Sequence, residues 1–305
     1  MLDYNVYEDI AKRSGGDIYI GVVGPVRTGK STLIKKFMTE LVIPNVADGN
    51  AKSIMTDELP QSASGKSVMT TEPKFVPAKA AEVRIENASA NVRLIDCVGF
   101  ITEGASGFDE DGKPRLVNTP WSEKPVPFAE AAAIGTEKVI KDHSTIGICV
   151  TTDGSIADIP RQGYAAAEER TVKSLQAIGN PYVIVLNCAE PSSASARALK
   201  SELEAKYNNT VIATNCERLD ADGLLDILKA VLFEFPVISF DVNMPDWMRF
   251  LPPDSTAVCE LLERVRAASQ KVCKMKDCTA FDTMFDGCGY WKDEAGENAS
   301  SRACL

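Results

Sequence analysis

At 305 residues the chain has room for one large domain or two ordinary ones. Its 45% apolar and 25% charged residues are those of a soluble globular protein, and a net charge of −10 argues against a general nucleic-acid binder. No apolar run approaches the roughly 20 residues of a membrane span, and the opening MLDYNVYEDI has neither a basic nor an apolar leader segment, so neither secretion nor direct membrane insertion is expected.

From Asp17 to about Pro236 the chain alternates strand-like and helix-like segments. DIYIGVVG is a short apolar run rich in β-branched residues, and KSTLIKKFMTEL reads as a helix after it. Residues from about 45 to 77 are polar and without period, and read as a long loop. VRLIDCVGF is a second strand. Residues from about 101 to 127, rich in Gly, Pro and Asp, read as a second long loop. VPFAEAAAIGTEKVIKDH follows as a helix with Pro127 in its first turn. STIGICVTTDG is a strand, GYAAAEERTVKSLQAIG a helix closed by Gly179, and YVIVLN and TVIAT are further strands. Continuous apolar strands alternating with helices predict an α/β fold, a mostly parallel sheet with helices on both faces and its working loops at the carboxyl ends of the strands. Beyond Pro236, VISFDVNMPDWM reads as a strand and TAVCELLERVRAASQKVCKMK as one amphipathic helix. The division expected is a P-loop domain over 1–236, then over 237–305 the start of a middle domain with a truncated or disordered tail.

The strongest chemical signal is GPVRTGKS, which fits G-x-x-x-x-G-K-[ST] between a strand and a helix. Gly24, Pro25, Val26, Arg27, Thr28, Gly29, Lys30, Ser31 and Thr32 form the candidate phosphate cradle. The glycines let backbone N–H groups converge on phosphate oxygens, Lys30 reaches the terminal phosphates, and the Ser31 hydroxyl serves Mg²⁺ at a helix N-terminus that favours anions. A second Gly-Lys-Ser at 65–67 has Pro60 where the first glycine belongs and no strand before it, so it is read as loop.

Asp96 closes an apolar strand, and Asp96-Cys97-Val98-Gly99 fits Asp-x-x-Gly, in which the acid holds Mg²⁺ and the Gly99 amide meets the γ-phosphate. Between the two motifs, SVMTTEPKFVP offers Thr70 and Thr71 as a switch threonine, with Thr71 the Mg²⁺ contact. The order P-loop, switch Thr, Asp-x-x-Gly, strand, strand-end Asn187 is that of the GTPase-like (TRAFAC-type) P-loop NTPases. Two departures stand out. Phe100 follows Asp-x-x-Gly where many GTPases carry a water-orienting Gln, so turnover is expected to be slow. After Asn187, the Lys whose stem packs on guanine is replaced by Cys188, and the base-reading Asp by Glu190. Losing that pairing removes the strong reason to prefer guanine and supports ATP. Asp153 and Asp158 fall on the active face with no role assigned.

Of the nine cysteines, Cys97, Cys149 and Cys188 fall within or at the ends of apolar strand-like runs and are read as reduced, buried thiols. Cys273, Cys278 and Cys288 have irregular spacing, no CxxC, and a lone distant His143, so zinc is not expected. Trp121 and Trp247 beside Pro-rich turns read as packing residues.

Taken together, GGDIYIGVVGPVRTGKSTLIKKFM, DELPQSASGKSVMTTEPKFVP, RLIDCVGF, NTPWSEKPVPFAEAAAIGTEKVI and HSTIGICVTTDGSIADI closely resemble the stage IV sporulation protein A family, spore coat morphogenetic ATPases of endospore-forming Firmicutes. The resemblance runs from about residue 5 to about 250. It implies ATP and Mg²⁺ as cofactors, hydrolysis of ATP, and self-association into a static polymer. It also implies a mother-cell, cytoplasmic location at the forespore outer surface, and partners that include a small amphipathic forespore-membrane protein and other coat proteins. Under it Lys30 and Ser31 are the phosphate and Mg²⁺ residues, Asp96 the Walker-B-type acid, and Thr70 and Thr71 the threonines that sense nucleotide state. Full-length members resemble this chain at the front and continue into a middle and a C-terminal domain. Two other readings stand beside it: an Era-like GTP switch in which Glu190 still reads the base, and a structural assembly module with a vestigial nucleotide site.

Overall fold

The computed structural model describes residues 17–46, 49–60, 73–85, 88–103, 109–110, 113–119, 122–237, 239–241, 250–281, 283–284 and 302–304. The chain divides into two compact units, Met1–Leu232 and Phe233–Leu305.

The first unit is built on β1 (Asp17–Val23), α1 (Lys30–Phe37), α2 (Gly49–Asp57), β2 (Lys74–Ile85), β3 (Ala88–Asp96), β4 (Leu116–Thr119), β5 (Ser122–Pro127), α3 (Phe128–Lys138), β6 (Ile146–Thr152), α4 (Arg161–Ile178), β7 (Tyr182–Asn187), α5 (Ala194–Tyr207), β8 (Val211–Thr214) and α6 (Ala221–Phe233). Six strands form one sheet in the order β8-β7-β6-β1-β3-β2. All neighbours are parallel except β2, which pairs antiparallel with β3. The chain order reverses at β1, so β1 and its neighbours β3 and β6 open a crevice at their carboxyl ends, where Gly24, Asp96 and Asp153 emerge.

Burial explains the run-like strands. Every residue of β6 and of β7 is buried. Val23, Ile95, Cys149, Ile184 and Leu186 join Val172 and Leu175 of α4 and Ala196, Leu203 and Tyr207 of α5 in one apolar cluster. The alternate residues Ile20, Val22, Leu94, Ile148, Val183 and Val185 point the other way and are equally buried. The buried stripes of α1 (Leu33, Ile34, Phe37) and α6 (Leu224, Ile227, Leu228, Val231) lie outside that cluster, and α1 packs on β1 and β3. The sheet is thus covered on both faces, as its unbroken apolar strands require.

Four expectations are corrected. The stretch 45–77 is not all loop: α2 forms over Gly49–Asp57, and β2 begins at Lys74. Strand β2 was illegible because its register breaks between Val76 and Ala81, which destroys the period-two pattern. Arg93 of β3 donates from Nε to the Pro77 carbonyl at 3.2 Å and also to the Ala78 carbonyl, satisfying acceptors that the break takes out of the ladder. The stretch 101–127 likewise contains paired strands, a short hairpin of Asp109–Glu110 with Lys113–Pro114 and the β4–β5 pair. Pro127 closes β5 and caps α3 in an extended conformation, one position ahead of the first turn. Finally, KSTLIKKFMTEL is α-helical only to Phe37 and continues as a π-helical turn over Met38–Val42. Cys97, Cys149 and Cys188 are free and buried, as read from the sequence.

One buried polar network ties α4 to the sheet. Glu168, with a fully buried side chain, accepts from Thr151 Oγ1 at 2.5 Å, from Arg161 at 2.7 and 2.9 Å, and from the Tyr207 hydroxyl at 2.9 Å. Both carboxylate oxygens are occupied, and burial together with the Glu168 charge keeps Tyr207 protonated far above the usual phenol range. Glu168→Ala should therefore lower stability by about 3–5 kcal/mol, because it leaves Arg161 without its buried counter-charge. A urea denaturation midpoint unchanged by this substitution would refute that assignment.

In the second unit, α7 (Thr256–Ser269) is followed by a 3-10 stretch over Met275–Phe281, so the single long helix expected there is broken. Ser239–Asp241 pairs antiparallel with Arg302–Cys304. The buried Glu234 carboxylate receives Lys274 at 2.6 Å and Lys276 at 2.8 Å. Among the described residues no helix is long and apolar enough to cross a membrane.

Candidate nucleotide site

The loop between β1 and α1 takes a shape that its glycines permit. Gly24 has φ 144, Arg27 φ 66 and Gly29 φ 93, and a Cβ on Gly24 would fall 2.1 Å from the Val150 carbonyl oxygen of β6. Thr28 is buried and closes the turn by donating from Oγ1 to the Pro25 carbonyl at 3.0 Å. Val26 donates its N–H to the Phe100 carbonyl at 3.0 Å, which couples the loop to the segment after Asp-x-x-Gly.

Lys30 is buried and folds back over the loop, donating from Nζ to the Pro25 carbonyl at 2.7 Å and the Gly24 carbonyl at 3.3 Å. Burial lowers its pKa, and the nearby Cys97, Asp96 and Cys149 oppose that shift. Asp96, at the end of β3, accepts from the Ser31 hydroxyl at Oδ2 over 2.8 Å, while its Oδ1 is buried and has no hydrogen-bond partner among the described residues. Burial raises the Asp96 pKa, and the Ser31 hydrogen bond and the Lys30 charge act against it. A half-buried carboxylate with one oxygen buried and unsatisfied, beside a hydroxyl at the mouth of a phosphate-type loop, is the hard oxygen donor set that suits Mg²⁺. Gly99 completes the cradle: at φ 89, a Cβ there would lie 2.0 Å from the Gly24 carbonyl oxygen and 2.8 Å from Lys30 Nζ. The structure thus brings together Gly24, Gly29, Lys30, Ser31, Asp96 and Gly99. Thr32 stands in the first turn of α1. Thr70 and Thr71 lie outside the described residues, as do Trp121 and Trp247.

Phe100 is buried, packs with Ala133 and Ala167, and carries the Arg170 guanidinium 4.4 Å over its ring. Its side chain belongs to the core and offers no hydrogen bond to a water.

Both ends of the Asn187 side-chain amide are engaged with the protein. Its Nδ2 donates to the Thr28 carbonyl at 3.0 Å and its Oδ1 accepts from the Cys216 N–H at 3.0 Å, so it braces the P-loop against the segment after β8. Asn187→Asp should keep the Cys216 bond and set two acceptors against each other at Thr28. The expected loss is about 2 kcal/mol of stability with weaker phosphate binding. Equal melting temperatures for the two proteins would contradict this bracing role. Cys188 is buried and directs its thiol at the Leu186 and Thr214 carbonyls, and burial pushes that thiol up to about 11. Glu190 is exposed and stands 3.8 Å from Arg218.

Sequence reading missed the loop after β6. Asp153 Oδ1 accepts from the N–H and hydroxyl of Ser155, and Ser155 Oγ accepts from the Ala189 N–H at 2.8 Å. The only signal was the Asp-Gly pair at Asp153-Gly154, where Gly154 adopts φ 89.

A parallel sheet with one antiparallel edge, a P-loop after β1 and a Mg²⁺-type acid ending β3 define a P-loop NTPase of the GTPase-like class. The family model "Stage IV sporulation protein A, ATPase domain" matches residues 1–236. The chain belongs to that family. It is 45% identical over 298 residues to stage IV sporulation protein A of Clostridioides difficile (strain 630), covering 97% of this chain and 61% of that protein. The protein of the same name from Bacillus subtilis (strain 168) is 45% identical over 91% of this chain and 56% of its own length, and that of Bacillus anthracis 48% identical over 82% and 51%. The chain therefore spans roughly half to three fifths of these relatives. Among solved structures, an SsGBP variant aligns over 73% of this chain and 56% of that chain at 14% identity and a TM-score of 0.40, a likeness too loose to bear on function.

Proposed function

We propose that the chain is a Mg²⁺-dependent ATP hydrolase whose turnover drives assembly of the spore coat basement layer. The observation that carries this reading is the joint placement of Lys30, Ser31 and Asp96, with one carboxylate oxygen of Asp96 buried and without a hydrogen-bond partner among the described residues. Backbone N–H groups from Pro25's neighbours to Thr32 bind the phosphates, and Lys30 exchanges its loop carbonyls for terminal phosphate oxygens. Ser31 and Asp96 would hold Mg²⁺, which supplies neutralisation of charge on the phosphates when bound. The buried Phe100 leaves the attacking water without a side-chain guide at that position, which supports slow turnover. The strong reason to prefer guanine is absent, because Cys188, in the place of the lysine, is turned into the core, and this supports ATP as the substrate.

Family membership supports, for this reading, work in the mother-cell cytoplasm at the forespore outer surface. There the chain self-associates into a polymer and meets a small amphipathic membrane-bound protein and other coat proteins. Thr70 and Thr71 serve as the nucleotide-sensing threonines in this scheme. The test is sedimentation of the purified chain with Mg²⁺ and ATP, ADP or neither, alongside phosphate release. ATP-dependent pelleting with phosphate release is the expected result. Pelleting that ignores nucleotide would leave a structural module with a vestigial site.

A further inference from the structure

We propose that Ile156 supplies the apolar platform on which the purine base packs, in place of the lysine stem that the GTPase pattern sets after the strand-end Asn. This rests on the nucleotide-binding reading above.

The position that follows the strand-end Asn carries no such stem here. Cys188 is fully buried, and its thiol is directed to the carbonyls of Leu186 and Thr214, so nothing at that position covers a base plane. Asn187, the residue before it, stands against Gly29, the last glycine of the P-loop. A Cβ built on Gly29 would meet Asn187 Nδ2 at 2.3 Å and Ile156 Cδ1 at 3.8 Å. Ile156 therefore stands against the same glycine as the strand-end Asn, although it comes from a different loop.

That loop is held, not loose. Asp153 Oδ1 accepts from the Ser155 N–H at 2.9 Å and from its hydroxyl at 2.5 Å. Gly154 donates to Thr152 Oγ1 at 3.1 Å in the left-handed conformation. Ser155 Oγ then takes the Ala189 N–H, and the Ala189 carbonyl accepts from Asn215 Nδ2 at 3.1 Å. The loops after β6, β7 and β8 are thus sewn together around the rim of the P-loop. At this rim Ile156 is a branched apolar side chain left 36% exposed. A β-branched chain has few rotamers to lose, so it is already ordered for packing against a flat ring. Packing of this kind does not distinguish one purine from another. It replaces a polar readout with a platform blind to the exocyclic groups.

The experiment is equilibrium binding of ATP, GTP and inorganic tripolyphosphate, each with Mg²⁺, to the full chain and to its Ile156→Ala and Ile156→Leu variants. Ile156→Ala should weaken ATP and GTP alike by about tenfold. Tripolyphosphate affinity should not change, and Ile156→Leu should restore nucleotide binding. Unchanged ATP affinity in Ile156→Ala would overturn the proposal. So would an equal loss for tripolyphosphate, which would make Ile156 a prop of the phosphate loop. If the unsubstituted chain binds tripolyphosphate as tightly as ATP, there is no base platform, while the phosphate site stands. If it binds neither, the nucleotide reading itself fails.

Discussion

Lys30→Ala is expected to weaken Mg²⁺-ATP binding by about 100-fold or more and to reduce turnover to background. Lys30 is the one cation in the described site whose ammonium lies over the phosphate loop, within hydrogen-bond reach of two of its carbonyls. Charge-assisted bonds to phosphate contribute about 1.5–3 kcal/mol each, so losing two removes at least two orders of magnitude in affinity. The fold should survive. Removing the ammonium also removes a buried charge, whose burial already disfavours it, and the Gly24 and Pro25 carbonyls then face the crevice. Phosphate release and a thermal melt on the same sample check both halves of this statement. Wild-type turnover in Lys30→Ala would dispose of the site as described.

Gly99→Ala should be the most damaging small substitution. The added Cβ would be 2.0 Å from a backbone oxygen, that of Gly24, and 2.8 Å from Lys30 Nζ, at a φ of 89 that alanine resists. Left-handed strain of about 1–2 kcal/mol adds to overpacking of about 1–3 kcal/mol. About 3 kcal/mol in a domain of this size corresponds to a melting temperature lower by roughly 6–12 °C. Either the P-loop or the segment from Gly99 must move, so turnover should fall with stability. Gly179→Ala is the control: its φ is 80, but no atom lies within 4 Å of the added Cβ. It should cost only the backbone strain and leave turnover intact. A Gly99→Ala chain that melts and turns over like the Gly179→Ala chain would show that the close approach to Gly24 is not functional.

The phosphate end of the site was legible because its chemistry is local. Gly24, Gly29, Lys30 and Ser31 sit at fixed spacing between a strand and a helix, and the backbone alone converts that spacing into a cradle. Asp96 was legible through its place in the order: a strand-end acid is commonly only a turn residue, but this one opens Asp-x-x-Gly after a P-loop. The Asn187 brace was half legible. Its strand-end place was evident, but its partners Thr28 and Cys216 are 159 and 29 residues away and follow only from the parallel order of β1, β7 and β8. The base side was not legible. Ile156 acquires its position through a chain of hydrogen bonds across three loops, and no spacing in the sequence encodes that. Strand β2 escaped because an antiparallel edge with a register break carries no clean alternation. The network at Glu168 escaped because a Glu in an exposed-looking helix gives no sign that Thr151, Arg161 and Tyr207 converge on it.

The central claim is that an intact phosphate site has been kept while guanine reading has been lost. Single-turnover hydrolysis of ATP and GTP by the purified chain with Mg²⁺, with Lys30→Ala as the control, tests it most directly. Slow hydrolysis of ATP, at a rate at least equal to that of GTP and vanishing in the control, is the expected result. Hydrolysis of GTP in clear preference to ATP, lost on Glu190→Ala, would contradict it and return Glu190 to the role of base reader.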